Sequence, residues 1–236
     1  MALILNIESA TTVCSIALAK DGKLLALREI NEGYTHAENM TVFVEEVMRE
    51  MGIQPGDIDA VAVSKGPGSY TGLRIGVSTA KGMCYGLNKP LISVETLRCL
   101  AHKFTMDAIK SAIVNRTSPV AHRQLLCPML DARRMEVYCA LYDMELNELE
   151  RVQAKIIDER SFEDVLREEV ICFFGDGAAK CREKLGFNPN AVFVENVYPS
   201  AAVMISFSES AYNLKQFENL AYFEPYYLKD FVAGKK

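Results

Sequence analysis

Histidine is scarce in this chain: His36, His102 and His122 are the whole supply. None is paired at i, i+4, and none has a cysteine at ligand spacing, which argues against a structural or catalytic metal site built from this chain alone. Cysteine is present without its motifs. Cys14, Cys84, Cys99, Cys127, Cys139, Cys172 and Cys181 are odd in number, include no C-x-x-C and sit mostly inside apolar runs. That pattern describes buried free thiols in a reducing compartment. No apolar run reaches the roughly 18 residues of a membrane helix. The opening Met-Ala-Leu-Ile-Leu-Asn-Ile-Glu lacks a basic leader region and reads as a strand. Basic blocks are also missing. With a net charge of −5, tight nucleic-acid binding by this chain alone is not expected, because phosphate contacts need clustered Lys and Arg. The expectation is a cytoplasmic chain that meets no membrane.

The 236 residues, half of them hydrophobic, suffice for one large domain or two small ones. The most informative stretch is Lys65-Gly-Pro-Gly-Ser-Tyr-Thr-Gly-Leu-Arg-Ile-Gly76. It follows an apolar run, Ile58–Val63, that reads as a buried strand. It opens a segment, Thr71–Gly86, of helical length but crowded with small residues. Gly72, Gly76, Thr79 and Ala80 share one helical face at i, i+4, i+7, i+8 spacing. Each interior glycine costs a helix about 1 kcal/mol relative to alanine, so something is expected to approach this helix closely: another helix, a ligand or a partner protein. The loop is not a P-loop, since no Gly is followed by Lys and then Ser or Thr. It misses the dinucleotide fingerprint by one residue. A plain strand-to-helix turn, capped by Ser69 or Thr71 and stiffened by Pro67, fits it as well.

The first half contains three strand-like runs, Leu3–Ile7, Val13–Ala19 and Lys23–Ile30, the last two joined at Asp21-Gly22. An amphipathic helix follows over His36–Met51, with Met40, Phe43, Val44, Val47, Met48 and Met51 as its stripe and Gly52 as its end. Then come the strand at Ile58, the glycine-rich helix, a strand at Leu91–Val94 and a helix from about Glu95 to Ile109. The second half repeats the order. Strands are predicted at Leu125–Leu130, Met135–Tyr142 and Val152–Ile157, and a helix from Ser161 with Asp164 at capping-box spacing. A strand at Val170–Phe174, a helix at Ala178–Leu185, a strand at Ala191–Val194 and a last helix from Pro199 to about Phe217 complete it. Three strands, helix, strand, helix, strand, twice over, is the order of a duplicated ribonuclease-H-like α/β unit. The polar stretch Ser111–Arg123, broken by Pro119, reads as the linker.

Three function classes fit such a fold. A two-metal nuclease needs carboxylates on the first and fourth strands. Glu8 could serve on the first, but the fourth ends in Ser64-Lys65. An actin-like phosphotransferase would use the hydroxyl-rich turn Glu8-Ser-Ala-Thr-Thr12, where Ser9, Thr11 and Thr12 could meet a phosphate, or could equally form an ordinary turn. Gly175-Asp-Gly177 has the same two readings. The third class keeps the fold, loses the chemistry and works by binding a partner.

Several segments carry a family resemblance: Ile4-Leu-Asn-Ile-Glu-Ser-Ala-Thr-Thr-Val-Cys-Ser-Ile-Ala-Leu18, Tyr34-Thr-His-Ala-Glu38, Val63 through Gly76, Leu130-Asp-Ala-Arg-Arg-Met-Glu-Val-Tyr138, Gly175-Asp-Gly-Ala178 and Glu224-Pro-Tyr-Tyr-Leu228. In these the chain resembles the bacterial TsaB (YeaZ) family, which takes part in making threonylcarbamoyladenosine in tRNA. The resemblance implies the actin-like (ASKHA) fold, α/β, with two ribonuclease-H-like lobes, each a mixed sheet with flanking helices. The lobes are expected at 1–110, rejoined by about 205–236, and at 111–204. It also implies a non-catalytic subunit that uses no cofactor and supports a TsaD-like catalytic subunit. A TsaE-like ATPase would share the complex, tRNA would be met only through it, and the chain alone would form a homodimer. The histidine pair that holds metal in TsaD would fall, by position, at Thr96 and Leu100. Glu8 stands where the family has Asp. Arg133, Arg134 and Glu136 match a family signature without an assigned role. Docking is expected on the first-lobe helices at Met40, Val44, Val47, Gly72, Gly76, Thr79, Ala80 and Met83, unless those faces cover the lobe's own sheet. The alternatives are an ATP-binding phosphotransferase or a glycopeptidase-like protein.

Overall fold

The computed structural model describes residues 2–33, 35–110 and 123–229. Of the expected linker, 111–123, residues 111–122 lie outside them, His122 included, as does Tyr34. The chain divides into two compact units, Met1–Thr96 with Pro199–Lys236, and Leu97–Tyr198.

In the first unit, β1 (Leu3–Glu8), β2 (Cys14–Lys20) and β3 (Lys23–Ile30) form an antiparallel meander. β4 (Ala60–Gly66) and β5 (Leu91–Glu95) add to the free edge of β1 in parallel, giving the order β3-β2-β1-β4-β5. Every residue of β1 is buried, the signature of a sheet covered on both faces. α1 (His36–Met51) and α2 (Tyr70–Leu87) pack with Leu3, Leu5, Ile7, Val61 and Val63 in one core. α1 ends where the sequence predicts, at Gly52 in the left-handed conformation. The first unit's last helix, α6 (Ala201–Asn213), contacts all five strands of this sheet.

In the second unit, β6 (Gln124–Asp131), β7 (Glu136–Tyr142) and β8 (Glu148–Ile156) are the antiparallel meander. β9 (Val170–Phe174) and β10 (Ala191–Val194) run parallel to β6, so the order β10-β9-β6-β7-β8 repeats that of the first unit. α5 (Ala178–Leu185) and the single turn α4 (Glu163–Leu166) cover Cys127, Met129 and Phe173. α3 (Thr96–Lys110) places Leu97, Leu100, Ala101 and Phe104 against Leu126, Leu130 and Phe174, with the Phe104 and Phe174 rings stacked 4.6 Å apart. Both sheets carry the ribonuclease-H-like order, and the chain has the actin-like fold of two such lobes.

Three local expectations are corrected. β8 starts at Glu148, ahead of Val152, because an edge strand with one wet face tolerates Glu148 and Glu150. The helix at Ser161 shrinks to α4, and no capping box forms. Ser161 Oγ bonds the Asp158 carboxylate instead, and Phe162 takes a φ of 63°. α6 stops at Asn213, short of Phe217. A turn of 3-10 helix at Pro55–Asp57 was not anticipated by any periodic pattern. All seven cysteines are buried free thiols.

Candidate functional site

The glycine segment folds over the turn that follows β1. Ser69 caps α2, its Oγ accepting from the Gly72 amide at 3.3 Å. A row of glycines one helical turn apart, Gly68, Gly72 and Gly76, then lies against Ser9 and Ala10. A Cβ on Gly68 would stand 2.8 Å from the Ala10 Cβ. One on Gly72 would overlap the Ser9 carbonyl oxygen, and one on Gly76 would overlap Ser9 Oγ. Only glycine permits this approach. The Ser69 amide donates to the Ala10 carbonyl at 2.6 Å, closing the loop onto the turn.

The hydroxyl turn is therefore occupied by protein. Ser9 is 0% exposed and Thr11 4%. Thr11 Oγ1 accepts from the Val13 amide at 3.2 Å, and half-buried Thr12 donates to Asn31 Oδ1 at 2.7 Å. Glu8 caps the turn from within, Oε1 accepting from the Ala10 amide at 2.6 Å. Its burial pushes the carboxyl up to about 7. His36 is buried beneath the same turn beside the Ser9 and Thr11 carbonyls, and desolvation holds its imidazole below its usual range. Ser9, Thr11 and Thr12 thus come together, but they line a packed turn, with Ser9 and Thr11 closed to solvent.

The second unit repeats the device. Gly175, at φ 99°, and Gly177 press on the end of β6, where a Cβ on Gly177 would lie 2.7 Å from the Leu130 carbonyl carbon. Asp176 Oδ1 accepts from the Asp131 amide at 3.1 Å, and desolvation raises its carboxyl. Gly175-Asp-Gly177 is in this geometry a strand-to-helix turn fitted to its neighbour.

The expected docking residues divide by burial. Met40, Val44 and Val47 belong to the first unit's core, and Gly72, Gly76 and Ala80 are buried. Thr79 and Met83 are half-buried. The apolar stripe of α1 and the small face of α2 cover the lobe's own sheet and turn, which leaves Thr79 and Met83 as the members a partner could reach. Sequence reasoning missed the opposite face of α2. Thr71, Ser78, Gly82, Tyr85 and Gly86 are exposed there, Tyr85 at 83%. Among the described residues, a Cβ on Gly82 or Gly86 would meet nothing within 4 Å. The signal was available: Gly82 and Gly86 lie nine residues from Leu73 and Val77, half a turn round from that buried stripe.

The C-terminal segment was missed as well. Lys81 Nζ donates to the Ala221 and Phe223 carbonyls at 3.3 and 2.9 Å, and the Tyr226 amide donates to the Lys65 carbonyl at 2.7 Å. Tyr227 meets Tyr70 with ring centroids 4.9 Å apart. The segment is strapped along α2 to the glycine loop.

Residues 33–232 match the family model described as TsaD: tRNA N6-adenosine threonylcarbamoyltransferase. The Escherichia coli protein named tRNA threonylcarbamoyladenosine biosynthesis protein TsaB is 34% identical over 144 residues, which is 61% of this chain and 56% of that protein. The Haemophilus influenzae protein of the same name is 24% identical over 248 residues, covering 99% of this chain and 96% of its own. The chain belongs to this family, in its TsaB (YeaZ) branch. A crystal structure of a Pseudomonas aeruginosa protein with similarity to the peptidase YeaZ shares the fold, with a TM-score of 0.77, 21% identity and coverage of 97% of this chain and 100% of that one. At the TsaB positions expected for the TsaD metal pair, Thr96 and Leu100 are both 0% exposed. Leu100 packs in the second unit's core, and neither residue offers a nitrogen ligand. Among the described residues no group of three or more His, Cys, Asp and Glu could hold a metal ion. These residues do not fit that metal.

Proposed function

We propose that this chain is a non-catalytic subunit that docks with a TsaD-like catalytic subunit and supports it in forming threonylcarbamoyladenosine beside the tRNA anticodon. The observation that carries the proposal is the two-sided character of α2. Its inner glycines are explained by Ser9 and Ala10, whereas among the described residues nothing lies within 4 Å of a Cβ placed on the outer pair, Gly82 and Gly86. Gly82 lies inside the helix, where a glycine costs about 1 kcal/mol relative to alanine. Close packing of another chain's backbone would offset that. Docking therefore centres on Ser78, Thr79, Gly82, Met83, Tyr85 and Gly86, with Tyr85 as an aromatic anchor. Alone, the chain would pair with a second copy through the same face. A TsaE-like ATPase joins the assembly, RNA is reached through it, and the work is cytoplasmic.

The phosphotransferase alternative needs an open turn after β1. The packing of Ser9 and Thr11 beneath the glycine row weighs against it. The deciding experiment is co-purification from the native extract, then reconstitution of tRNA modification with and without this chain. Loss of modification without it is the expected result. Full-rate modification in its absence, or ATP-dependent phosphoryl transfer by the chain alone that one substitution in it abolishes, overturns the proposal.

A further inference from the structure

The hairpin tip between β6 and β7 holds two arginines in a backbone conformation that arginine seldom adopts. Arg133 and Arg134 have φ of 70° and 52°, the left-handed region that glycine and asparagine fill at turns. The tip is firmly built. The Arg133 amide donates to Asp131 Oδ1 at 2.8 Å, the Glu136 amide to the Arg133 carbonyl at 3.2 Å, and the Ala132 amide to the Glu136 carbonyl at 3.1 Å. Lys180, from α5, pairs with the Asp131 carboxylate and donates to the Glu136 carbonyl at 2.7 Å, which pins both strands at the base.

Two acids at the base of the tip are already engaged. Asp131 is held by Lys180 and the Arg133 amide, and Asp176 by the Asp131 amide. Both arginines are exposed, and among the described residues neither guanidinium has an ion-pair partner. A local choice that opposes the turn's own preference, on a rigid frame and with unspent charge, is what a binding site looks like when stability has been yielded for it. Two adjacent guanidinium forks suit phosphate oxygens, which they can grip in pairs. The chain as a whole carries a net charge of −5, so such a patch is too small to capture a polyanion alone. It suits one already held by another subunit.

We propose that Arg133 and Arg134 contact backbone phosphates of the RNA in the assembled complex, an inference that rests on the subunit role proposed above. The test is filter binding of tRNA to the reconstituted complex over a salt titration, read without turnover. The complex carries either the wild-type chain, Arg133→Gln with Arg134→Gln, Arg133→Asn with Arg134→Gly, or lysine at both positions. The glutamine pair should weaken tRNA binding several-fold. It should also flatten the slope of log affinity against log salt by roughly 1.4 to 1.8, the loss of two phosphate contacts. The Asn/Gly pair should bind as weakly but melt a few degrees higher, because it suits the turn. The lysine pair should recover most of the salt slope.

Unchanged affinity and slope in the glutamine pair overturns the inference. So does weaker assembly of the subunits with tRNA affinity intact once assembled, which would mark an acidic protein as the ligand. A fall in melting temperature for the Asn/Gly pair would make the tip purely structural. Modification at full rate without the chain would defeat the subunit role separately, since the binding readout does not depend on turnover.

Discussion

The side chain of Ser9 fills the space that a methyl group on Gly76 would need: its Oγ overlaps the Cβ position and its own Cβ stands 3.1 Å away. One turn earlier the Ser9 carbonyl oxygen does the same for Gly72. The glycine helix and the hydroxyl turn are thus two halves of one packing unit, and each explains the other's composition.

Substitutions along α2 should separate its two faces. Gly72→Ala collides with backbone and should cost about 2–3 kcal/mol. Gly76→Ala collides with a hydroxyl that can rotate and should cost less, about 1 kcal/mol. Gly82→Ala meets open space and should stabilise the monomer by about 0.5–1 kcal/mol. Urea denaturation ranks the three. Equal effects at positions 72 and 82 would mean that the turn does not seat on the helix.

Larger side chains should divide in the same way. Gly76→Arg should abolish folding at ordinary temperature. Gly82→Arg should keep its melting temperature while dissociating the homodimer in size-exclusion chromatography and losing the TsaD-like partner. A Gly82→Arg chain that still dimerises would move the interface off this face.

Glu8 gives stability a pH dependence of defined sign. Its carboxyl titrates near 7 when folded against 4.5 as the ordinary value, so the folded state holds a proton that the unfolded chain has released. The contribution is fully present below about pH 4.5, falls as pH rises towards 7 and levels off above it. The whole swing is on the order of 3 kcal/mol. Glu8→Gln keeps an acceptor for the Ala10 amide and removes the titration. The variant should gain on wild type by that order at pH 8 and match it near pH 4.5. A constant difference at both pH values would show that Glu8 is not the titrating group.

Lys81 should control the strap. Lys81→Met removes the donor that holds the Ala221 and Phe223 carbonyls, two bonds worth about 1–2 kcal/mol together, as hydrogen bonds to a charged group that is partly wet. Amide exchange should rise at Phe223 and Tyr226 with little change in β1. Uniform loss of protection across the first unit would instead make the strap part of the global fold.

The fold was legible because its strongest signals are periodic. The α1 stripe and the strands at Lys23, Val170 and Ala191 fall where hydrophobic spacing puts them. β8 escaped because Glu148 and Glu150 break the alternation on a wet edge, and α4 because Phe162 enters it through a left-handed residue that no spacing rule anticipates. The site was harder to read. Small residues surround α2, and spacing identifies a face without saying what stands opposite it. The Leu73, Val77 and Cys84 stripe marks the sheet side, which turns Gly72, Gly76 and Ala80 inward. That Ser9, 63 residues before Gly72, fills the gap is a tertiary fact that sequence spacing does not carry.

The contact of α6 with all five strands of the first sheet bears on how the chain is made. Domains ordinarily fold in the order of their synthesis. Here the lobe that leaves the ribosome first keeps one apolar sheet face uncovered until Ala201–Asn213 has been translated, after the entire second lobe. The second lobe is continuous in sequence and can close on its own. The lobe that is begun first is completed last, so a stalled nascent chain would expose the Ile4, Ala17 and Ala62 face to chaperones even though its β-strands had all been synthesised.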